Sequence, residues 1–216
     1  MVGRLVLTNE TTGHIFIFMK RTERGARNRE RLLELGLRAF RQDGYAGTSI
    51  QDVVTAAGIP KGSFYNYFES KEAFGAAVVD LYVERIYRRL DALAEASGGA
   101  EERLRGFFQG LLQDPEHERG CLVGNLGTEL GAGSGLHRAA LRRGEAGILA
   151  RFQRLVGQGQ EAGSIRDNVS SASLAALLFS AWEGALLRMQ VEASPDPPRE
   201  ILDLLFDDCF PPQAAD

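Results

Sequence analysis

Residues 58–74 read GIPKGSFYNYFESKEAF, and this stretch decides the fold that the sequence predicts. Gly58 is expected to end a short helix over residues 50–57, because glycine readily takes the left-handed conformation at a helix C-terminus. Pro60 suits the start of the next helix, predicted over residues 61–68, because its fixed φ is already helical. Two short helices joined by a tight, glycine-containing turn are typical of a helix-turn-helix, whose second helix enters the major groove of DNA.

The segments on either side of this turn are also predicted to be helical. Leucines recur at helical spacing over residues 24–43, which predicts an amphipathic helix before the turn. Gly44 is expected to end that helix in the left-handed conformation. Thr48 and Ser49 then offer an N-cap for the first short helix, and a long helix is predicted to follow over residues 71–96.

The second short helix carries side chains that suit contact with DNA. Lys61 places a cation at the tip of the helix, and Gly62 lets the backbone approach the duplex closely. Ser63 and Asn66 are short hydrogen-bonding groups suited to base edges. The tyrosine hydroxyls of this helix and the ammonium of Lys71 are expected to contact phosphates. The predicted DNA-contacting residues are Thr48, Ser49, Lys61, Gly62, Ser63, Tyr65, Asn66, Tyr67 and Lys71.

The charges of the 216-residue chain are unevenly distributed, although its formal net charge is only −4. Residues 19–72 contain ten Lys and Arg against seven Asp and Glu, a net of +3, whereas residues 73–216 contain fourteen against twenty-one, a net of −7. A basic part on an acidic body is expected when one part of a protein meets phosphate. We therefore predict an atypical N-terminal tail over residues 1–18, a DNA-binding domain over 19–72, and a ligand-binding and dimerisation domain over 73–216.

The predicted fold class is all-α, a three-helix head followed by a larger helical body, because no strand-like alternation recurs after residue 18. Helices of the body are expected at about residues 101–113, 120–131, 135–162, 170–192 and 198–208. Only the first eighteen residues contain a pattern that is typical of strands. Short β-prone runs at residues 5–7 and 15–18 flank a polar turn there, which predicts a hairpin.

Several classes of protein are excluded by what the sequence lacks. Its longest apolar runs are too short to span a membrane, and two cysteines, Cys121 and Cys209, are too few for a disulfide framework, which favours a reducing cytoplasm. Three scattered histidines give no metal-ligand spacing, and no cofactor is expected. Glycine-rich residues 131–135 and 157–159 lack the preceding strand of a nucleophile elbow or a dinucleotide-binding fingerprint, so an enzyme is not expected.

Residues 58–74 strongly resemble the DNA-binding signature of the TetR family of repressors. In that family the segment is the recognition helix and the start of a long linking helix, and the similarity extends upstream through residues 48–53. Many members carry His at the position of Asn66, a difference that bears on base preference. The resemblance implies a homodimer that binds double-stranded operator DNA and releases it when a small-molecule effector binds. A helical small-molecule sensor that does not read DNA is the alternative interpretation.

Two segments of the body, residues 119–130 and 182–188, are similar to acrylate- and electrophile-responsive members of the same family. This similarity implies an unsaturated acid or another electrophile as the effector. The pocket is predicted between a helix that begins near Cys121 and the helix that carries Trp182. Its predicted wall consists of Phe107, Leu111, Cys121, Asn125, Trp182 and Glu183.

Two of these pocket residues have open interpretations. Cys121 is either a sensor thiol, which needs access and a pKa depressed by Arg119 and a helix N-terminus, or a small buried apolar residue. Glu183 either faces the cavity or pairs with Arg188 or another arginine, because an unpaired buried carboxylate is costly.

Cys121, Asn125 and Glu129 follow one another at i, i+4 spacing, so on a helix they share one face. If this face points inward, it forms a polar cavity wall, and if it points outward, it is ordinary solvent-exposed surface. The many glycines around it make the helix weak and easily shifted.

The helix predicted over residues 170–192 is apolar on nearly every side, so it is expected to pack against its own body and against a partner. The resemblance implies that it forms a four-helix dimer interface with the helix near residues 198–208. The side chains expected to be available to a partner are Leu174, Leu177, Leu178, Ala181, Ala185 and Met189.

Overall fold

The computed structural model describes the backbone of residues 9–114, 119–130 and 135–212, and within these ranges the side chains from residue 24 onward. Every regular element in this part of the chain is a helix, which confirms the predicted all-α class. The helices are α1 (Asn9–Gly47), α2 (Ile50–Ala57), α3 (Lys61–Phe64), α4 (Lys71–Glu95), α5 (Ala100–Gln113), α6 (Leu122–Leu130), α7 (Gly135–Glu161), α8 (Ser171–Glu192) and α9 (Asp196–Asp203), and a π-helical turn follows over Leu204–Cys209.

Helices α1, α2 and α3 form the head, and local hydrogen bonds explain the turn between α2 and α3. Ser49 caps α2, because its hydroxyl accepts a hydrogen bond from the backbone N–H of Asp52. Gly58 ends α2 at φ 64° and ψ 34°, the left-handed conformation expected of it. The N–H groups of Gly58 and Ile59 donate to carbonyls in the last turn of α2. The predicted helix-turn-helix is therefore confirmed.

Helix α3 is four residues long, whereas the sequence predicted a helix that continues to Phe68. Beyond α3 the N–H groups of Asn66 and Tyr67 donate to the carbonyls of Ser63 and Phe64, three residues back. These bonds form a tighter turn than an α-helix does. Aromatic residues have modest helix propensities, so packing rather than periodicity sets the backbone here, and the predicted length was wrong.

The N-terminal segment also differs from the prediction. A hairpin was expected within residues 5–18, but the backbone is helical from Asn9, and residues 5–8 lie outside the described ranges. Extending an existing helix adds one hydrogen bond for each residue that is fixed, which outweighs the weak strand preference of a short apolar run. At the other end of α1, Gly44 has the expected positive φ of 71°, but its ψ of 176° kinks the helix in a conformation accessible essentially only to glycine.

The body is a helical bundle in which α4 packs along α7, and α7 packs against α8. Helix α4 begins directly after the head and continues into this bundle, so it belongs to both parts. Phe74 near its start and Leu90 near its end are both buried in one core that also includes Phe152 of α7. A single apolar core therefore connects the head with the body.

Among the described helices, α8 is the one long and apolar enough, by length and composition, to cross a membrane. Its side chains Leu174, Leu178 and Trp182 are buried in the bundle. Packing in the bundle accounts for part of the apolar character of α8, because 33% of its most apolar stretch is buried.

The exposed apolar side chains of α8 differ from those expected. Leu174, Leu178 and Ala185 are buried within the protomer and are not available to a partner. Leu177 is exposed as expected, and Leu187, which was not predicted, is 63% exposed. When nearly all faces of a helix are apolar, periodicity cannot show which face meets the core, and this part of the prediction was wrong.

Candidate DNA-binding surface and effector cavity

The tip of α3 and the turn that follows it form an exposed surface on the head. Lys61, Gly62, Tyr65 and Asn66 are exposed there, and Ser63 is half-buried beside them. The opposite side of α3 is anchored by a fully buried phenylalanine and faces the head core. This anchoring determines which side chains the tip presents to solvent.

Gly62 illustrates how open this tip is. A methyl group at this position would meet no protein atom within 4 Å, so the packing of the head does not require glycine. The predicted close approach to DNA at Gly62 is compatible with these open surroundings but stays a prediction. Ser49 is also exposed, but its hydroxyl is bonded to Asp52 and caps α2.

Three other residues of the predicted DNA-contacting set are engaged within the head. Thr48 is buried, and its hydroxyl donates to a backbone carbonyl at the kink of α1 at 2.8 Å. The hydroxyl of Tyr67 accepts a hydrogen bond from Asn28 at 3.1 Å. Lys71 donates to the carbonyl of Tyr45 at 2.7 Å and lies 4.3 Å from the centre of its ring. Burial lowers the pKa of Lys71. These side chains therefore stabilise the head instead of projecting from its tip.

A small cavity lies in the body between α4, α5, α7 and α8. Its lining consists of Tyr82, Ile86, Phe107, Phe108, Leu111, Cys121, Ile148, Phe152, Phe179, Trp182 and Glu183. Five of the six predicted pocket residues are thus brought together. The cavity has a volume of about 30 Å³. That volume is roughly the space one water molecule takes up, so the side chains almost fill the site.

Cys121 is buried on the wall of this cavity, 3.7 Å from the hydroxyl of Tyr82, which donates to the sulfur. Burial and then the carboxylate of Glu183 raise the pKa of the Cys121 thiol to about 12. The guanidinium of Arg119 donates to the carbonyl of Gln42 at 2.6 Å. Arg119 therefore does not act on the thiol as expected. In this state the thiol has neither the access nor the depressed pKa that a sensor needs.

Glu183 faces the same cavity, which was one of its two predicted positions. Its Oε1 atom is buried without a hydrogen-bond partner among the described residues. Burial raises the pKa of the Glu183 carboxyl, and a hydrogen bond with Cys121 partly opposes this effect. The predicted pairing with Arg188 is wrong, because that guanidinium binds Glu192 at 2.9 Å.

Asn125 lies outside the cavity, beside an open cleft of about 740 Å³. Its amide donates to the carbonyl of Arg119 at 2.7 Å, and Gln190 of α8 donates to the same oxygen at 2.8 Å. Asn125 therefore ties the segment before α6 to α6, and Gln190 ties the same segment to α8. This position corrects the expectation that Asn125 lines the effector pocket.

Glu129, at the C-terminal end of α6, contacts the head. Its carboxylate accepts hydrogen bonds from the backbone N–H groups of Tyr45 at 3.0 Å and Ala46 at 2.6 Å. The predicted stripe of Cys121, Asn125 and Glu129 is therefore neither a uniform cavity wall nor ordinary solvent-exposed surface. Cys121 lines the cavity, Asn125 lies beside the open cleft, and Glu129 contacts the head.

Several cavity residues were not predicted from the sequence. Tyr82, Ile148 and Phe152 lie in the apolar stripes of α4 and α7 and look like ordinary core residues. The contact of Glu129 with the head was missed as well. Its sequence signal was the break at Gly44, which leaves backbone N–H groups in need of an acceptor.

Comparison with known proteins identifies both parts of the chain. Residues 32–78 match the tetR family of bacterial regulatory proteins, and residues 100–205 match the tetracyclin repressor-like C-terminal domain. The HTH-type transcriptional repressor DhaR of Mycobacterium sp. (strain GP1) is 38% identical over 85% of this chain and 92% of its own length. The chain belongs to the TetR family. The transcriptional regulator AcuR of Cereibacter sphaeroides is 37% identical over 77% of this chain and 78% of its own.

Solved structures agree with this assignment. The crystal structure of the reduced form of Escherichia coli NemR superposes with a TM-score of 0.80, at 29% sequence identity. The superposition covers 87% of this chain and 99% of that one. The TetR-family chain is thus a transcriptional regulator that binds DNA, and the alternative of a sensor that does not read DNA loses its support.

Proposed function

We propose that this TetR-family regulator is a homodimeric repressor that leaves its operator when a small electrophile or unsaturated acid occupies the body cavity. The exposed tip of α3 carries the DNA-binding half of this proposal, because Lys61 and Asn66 are exposed while the other side of the helix is anchored in the core. Lys61 contacts phosphate, and Asn66 contacts a base edge. Residues 19–72 form the DNA-binding domain, and residues 73–216 bind the effector and the partner subunit.

Two copies of the head are needed to bind a palindromic operator. Their recognition helices enter successive major grooves about 34–36 Å apart, and the dimer interface sets this spacing. A change in the bodies that alters the spacing weakens both contacts together. An effector that favours the altered arrangement therefore releases DNA by shifting a population.

The cavity lining supports the choice of effector. A thiol, a phenol and a carboxylate, from Cys121, Tyr82 and Glu183, meet in a site that is otherwise apolar. Such a site suits a small apolar molecule with one polar end. Because only about 30 Å³ is open, the effector must push the surrounding helices apart.

An activated alkene has a covalent route in this site. The sulfur of Cys121 forms a bond to the β-carbon, and the thiol proton passes to Glu183 and then to the α-carbon. The two electrons of the alkene π bond move to the α-carbon, so no oxidant is needed. Glu183 can take up this proton, because it lines the same cavity as Cys121 and its charge acts on the thiol.

The test begins with operator selection from a random pool of duplexes, followed by gel retardation at several salt concentrations. We expect a palindromic duplex to be bound, and N-ethylmaleimide or acrylate to weaken its binding. Cys121→Ser separates the two routes, because it abolishes covalent but not reversible release. A selected duplex that responds to neither compound in the parent protein would contradict the proposed effector class while leaving DNA binding intact.

A further inference from the structure

The kink at Gly44 changes the direction of the backbone in the last turn of α1. Tyr45 and Ala46 follow the kink, and both of their N–H groups point to the end of α6. One carboxylate oxygen of Glu129 accepts each of them. Two charge-assisted bonds to one carboxylate fix its position more closely than a single bond does.

Tyr45 is held from several other directions at the same time. Lys71 of α4 donates to its carbonyl oxygen. Its ring meets the ring of Phe40 edge-on at 5.5 Å and that of His137 of α7 at 4.6 Å. A methyl group on Gly44 would lie 3.1 Å from a Glu129 oxygen, so the carboxylate packs closely on the kink itself. The last turn of α1, after its kink at Gly44, is therefore the place where the head, α4, α6 and α7 meet.

The other end of α6 belongs to the cavity wall. Cys121 immediately precedes this helix, and its carbonyl accepts the N–H of Asn125 at 2.9 Å. Gly124, in the first turn, packs so closely on Glu183 that a methyl group there would overlap the carboxylate. A helix of nine residues is about 13 Å long. A single short helix thus reaches from the cavity to the head.

We propose that Glu129 is a positioning residue that couples α6, and with it the effector cavity, to the DNA-binding head. This inference rests on the proposed function for the effector, but the contact itself does not. When the cavity widens, α6 moves against α8. Glu129 then either carries the segment at Tyr45 and Ala46 along with it or releases the two N–H groups. Both outcomes change how the head sits on the body.

The first experiment measures hydrogen exchange in full-length protein by mass spectrometry, on peptides that contain residues 43–49. We expect Glu129→Ala to speed exchange at Tyr45 and Ala46 severalfold, and Glu129→Gln, which keeps one acceptor oxygen, to have an intermediate effect. Thr128→Ala is the matched control, because Thr128 is also exposed on α6 but bonds only to its own helix. Unchanged exchange in Glu129→Ala would overturn the proposal.

The second experiment tests the coupling, with the selected operator duplex as the probe. Coupling between two sites is reciprocal, so DNA binding should slow exchange within α6 of the parent protein. We expect this protection to be largely lost in Glu129→Ala and kept in Thr128→Ala, at duplex concentrations that saturate each variant. Protection that persists in Glu129→Ala would reduce Glu129 to a structural contact and refute its coupling role.

A third measurement separates this inference from the proposed effector. After alkylation by N-ethylmaleimide, the parent should lose affinity for the duplex by a factor of roughly 5–150, the usual range of allosteric coupling. Glu129→Ala should lose clearly less. If alkylation has no effect on the parent, the effector class is wrong, and the two exchange experiments still decide the role of Glu129.

Discussion

The environment of Cys121 controls its reactivity. The side chain is buried, and the charged group that acts on it most strongly is the carboxylate of Glu183, not a cation. Both features favour the neutral thiol, and only the thiolate attacks electrophiles. The chemistry of Cys121 therefore depends on whether the cavity opens, because opening supplies both water and access.

The pH dependence of alkylation tests this account of Cys121. With a thiol pKa of about 12, the thiolate fraction of the folded protein should rise about tenfold per pH unit across the neutral range. In a Cys209→Ser background, modification by iodoacetamide, followed by mass spectrometry, should accelerate from about pH 6 to about pH 9 without a plateau. Glu183→Gln should speed it at every pH, because it removes the neighbouring negative charge. A plateau near neutral pH would instead indicate an activated sensor thiol.

Substitution of Lys61 and of Lys71 by alanine should affect different properties of the protein. Lys61 is exposed at the tip of α3, so Lys61→Ala should leave the melting temperature unchanged. It should also reduce the slope of log affinity against log salt by about 0.9 for the lost phosphate contact. Lys71→Ala should destabilise the protein by on the order of 1 kcal/mol, because it loses the hydrogen bond to Tyr45. DNA affinity measured at several salt concentrations, and thermal melts, compare both variants with the parent. Equal salt slopes in Lys61→Ala and the parent would remove Lys61 from the interface.

At the scale of elements, helix boundaries set by local chemistry could be predicted from the sequence. Ser49 and Gly58 bracket α2 as expected, because a hydroxyl cap and a left-handed glycine act within a few residues. The end of α3 could not be predicted in this way, since contacts with the head core override periodicity there. The position of Asn125 was mispredicted for a similar reason, because its partner is the carbonyl of Arg119, which Gln190 of the distant helix α8 also binds.

The two glycines of the head give a matched pair of substitutions. Gly44→Ala should cost about 1–3 kcal/mol of stability, because alanine is strained at a φ of 71° and would press on Glu129. Gly62→Ala should keep or slightly raise stability, since nothing lies near its added methyl group. It should nevertheless weaken DNA binding by separating α3 from the duplex. Urea unfolding and gel retardation provide the two measurements. Full DNA affinity in Gly62→Ala would argue against close approach at this position.

On the scale of the whole molecule, α8 presents an apolar face that the protomer leaves uncovered. Leu177, Leu187 and Val191 are 45%, 63% and 79% exposed, and Ser180 and Gly184 lie between them on the same face. Large side chains that alternate with small ones suit close packing of a second helix. Family resemblance predicted a dimer through this helix, but only the structure shows which of its faces is free.

A charge on that face should therefore separate the subunits. Leu187→Glu places a carboxylate in the middle of the uncovered stripe, where a partner helix would bury it without a counter-ion. Light scattering at micromolar concentration should give twice the chain mass for the parent and a single chain mass for the variant. Leu136→Glu is the control, because Leu136 is 52% exposed at the start of α7 and not on α8. The monomeric variant should retain its helical circular dichroism but bind a single half-site weakly, since the second head no longer adds to its affinity. A dimer that survives Leu187→Glu would move the interface elsewhere, and the spacing of the two recognition helices would have to be set by another pair of elements.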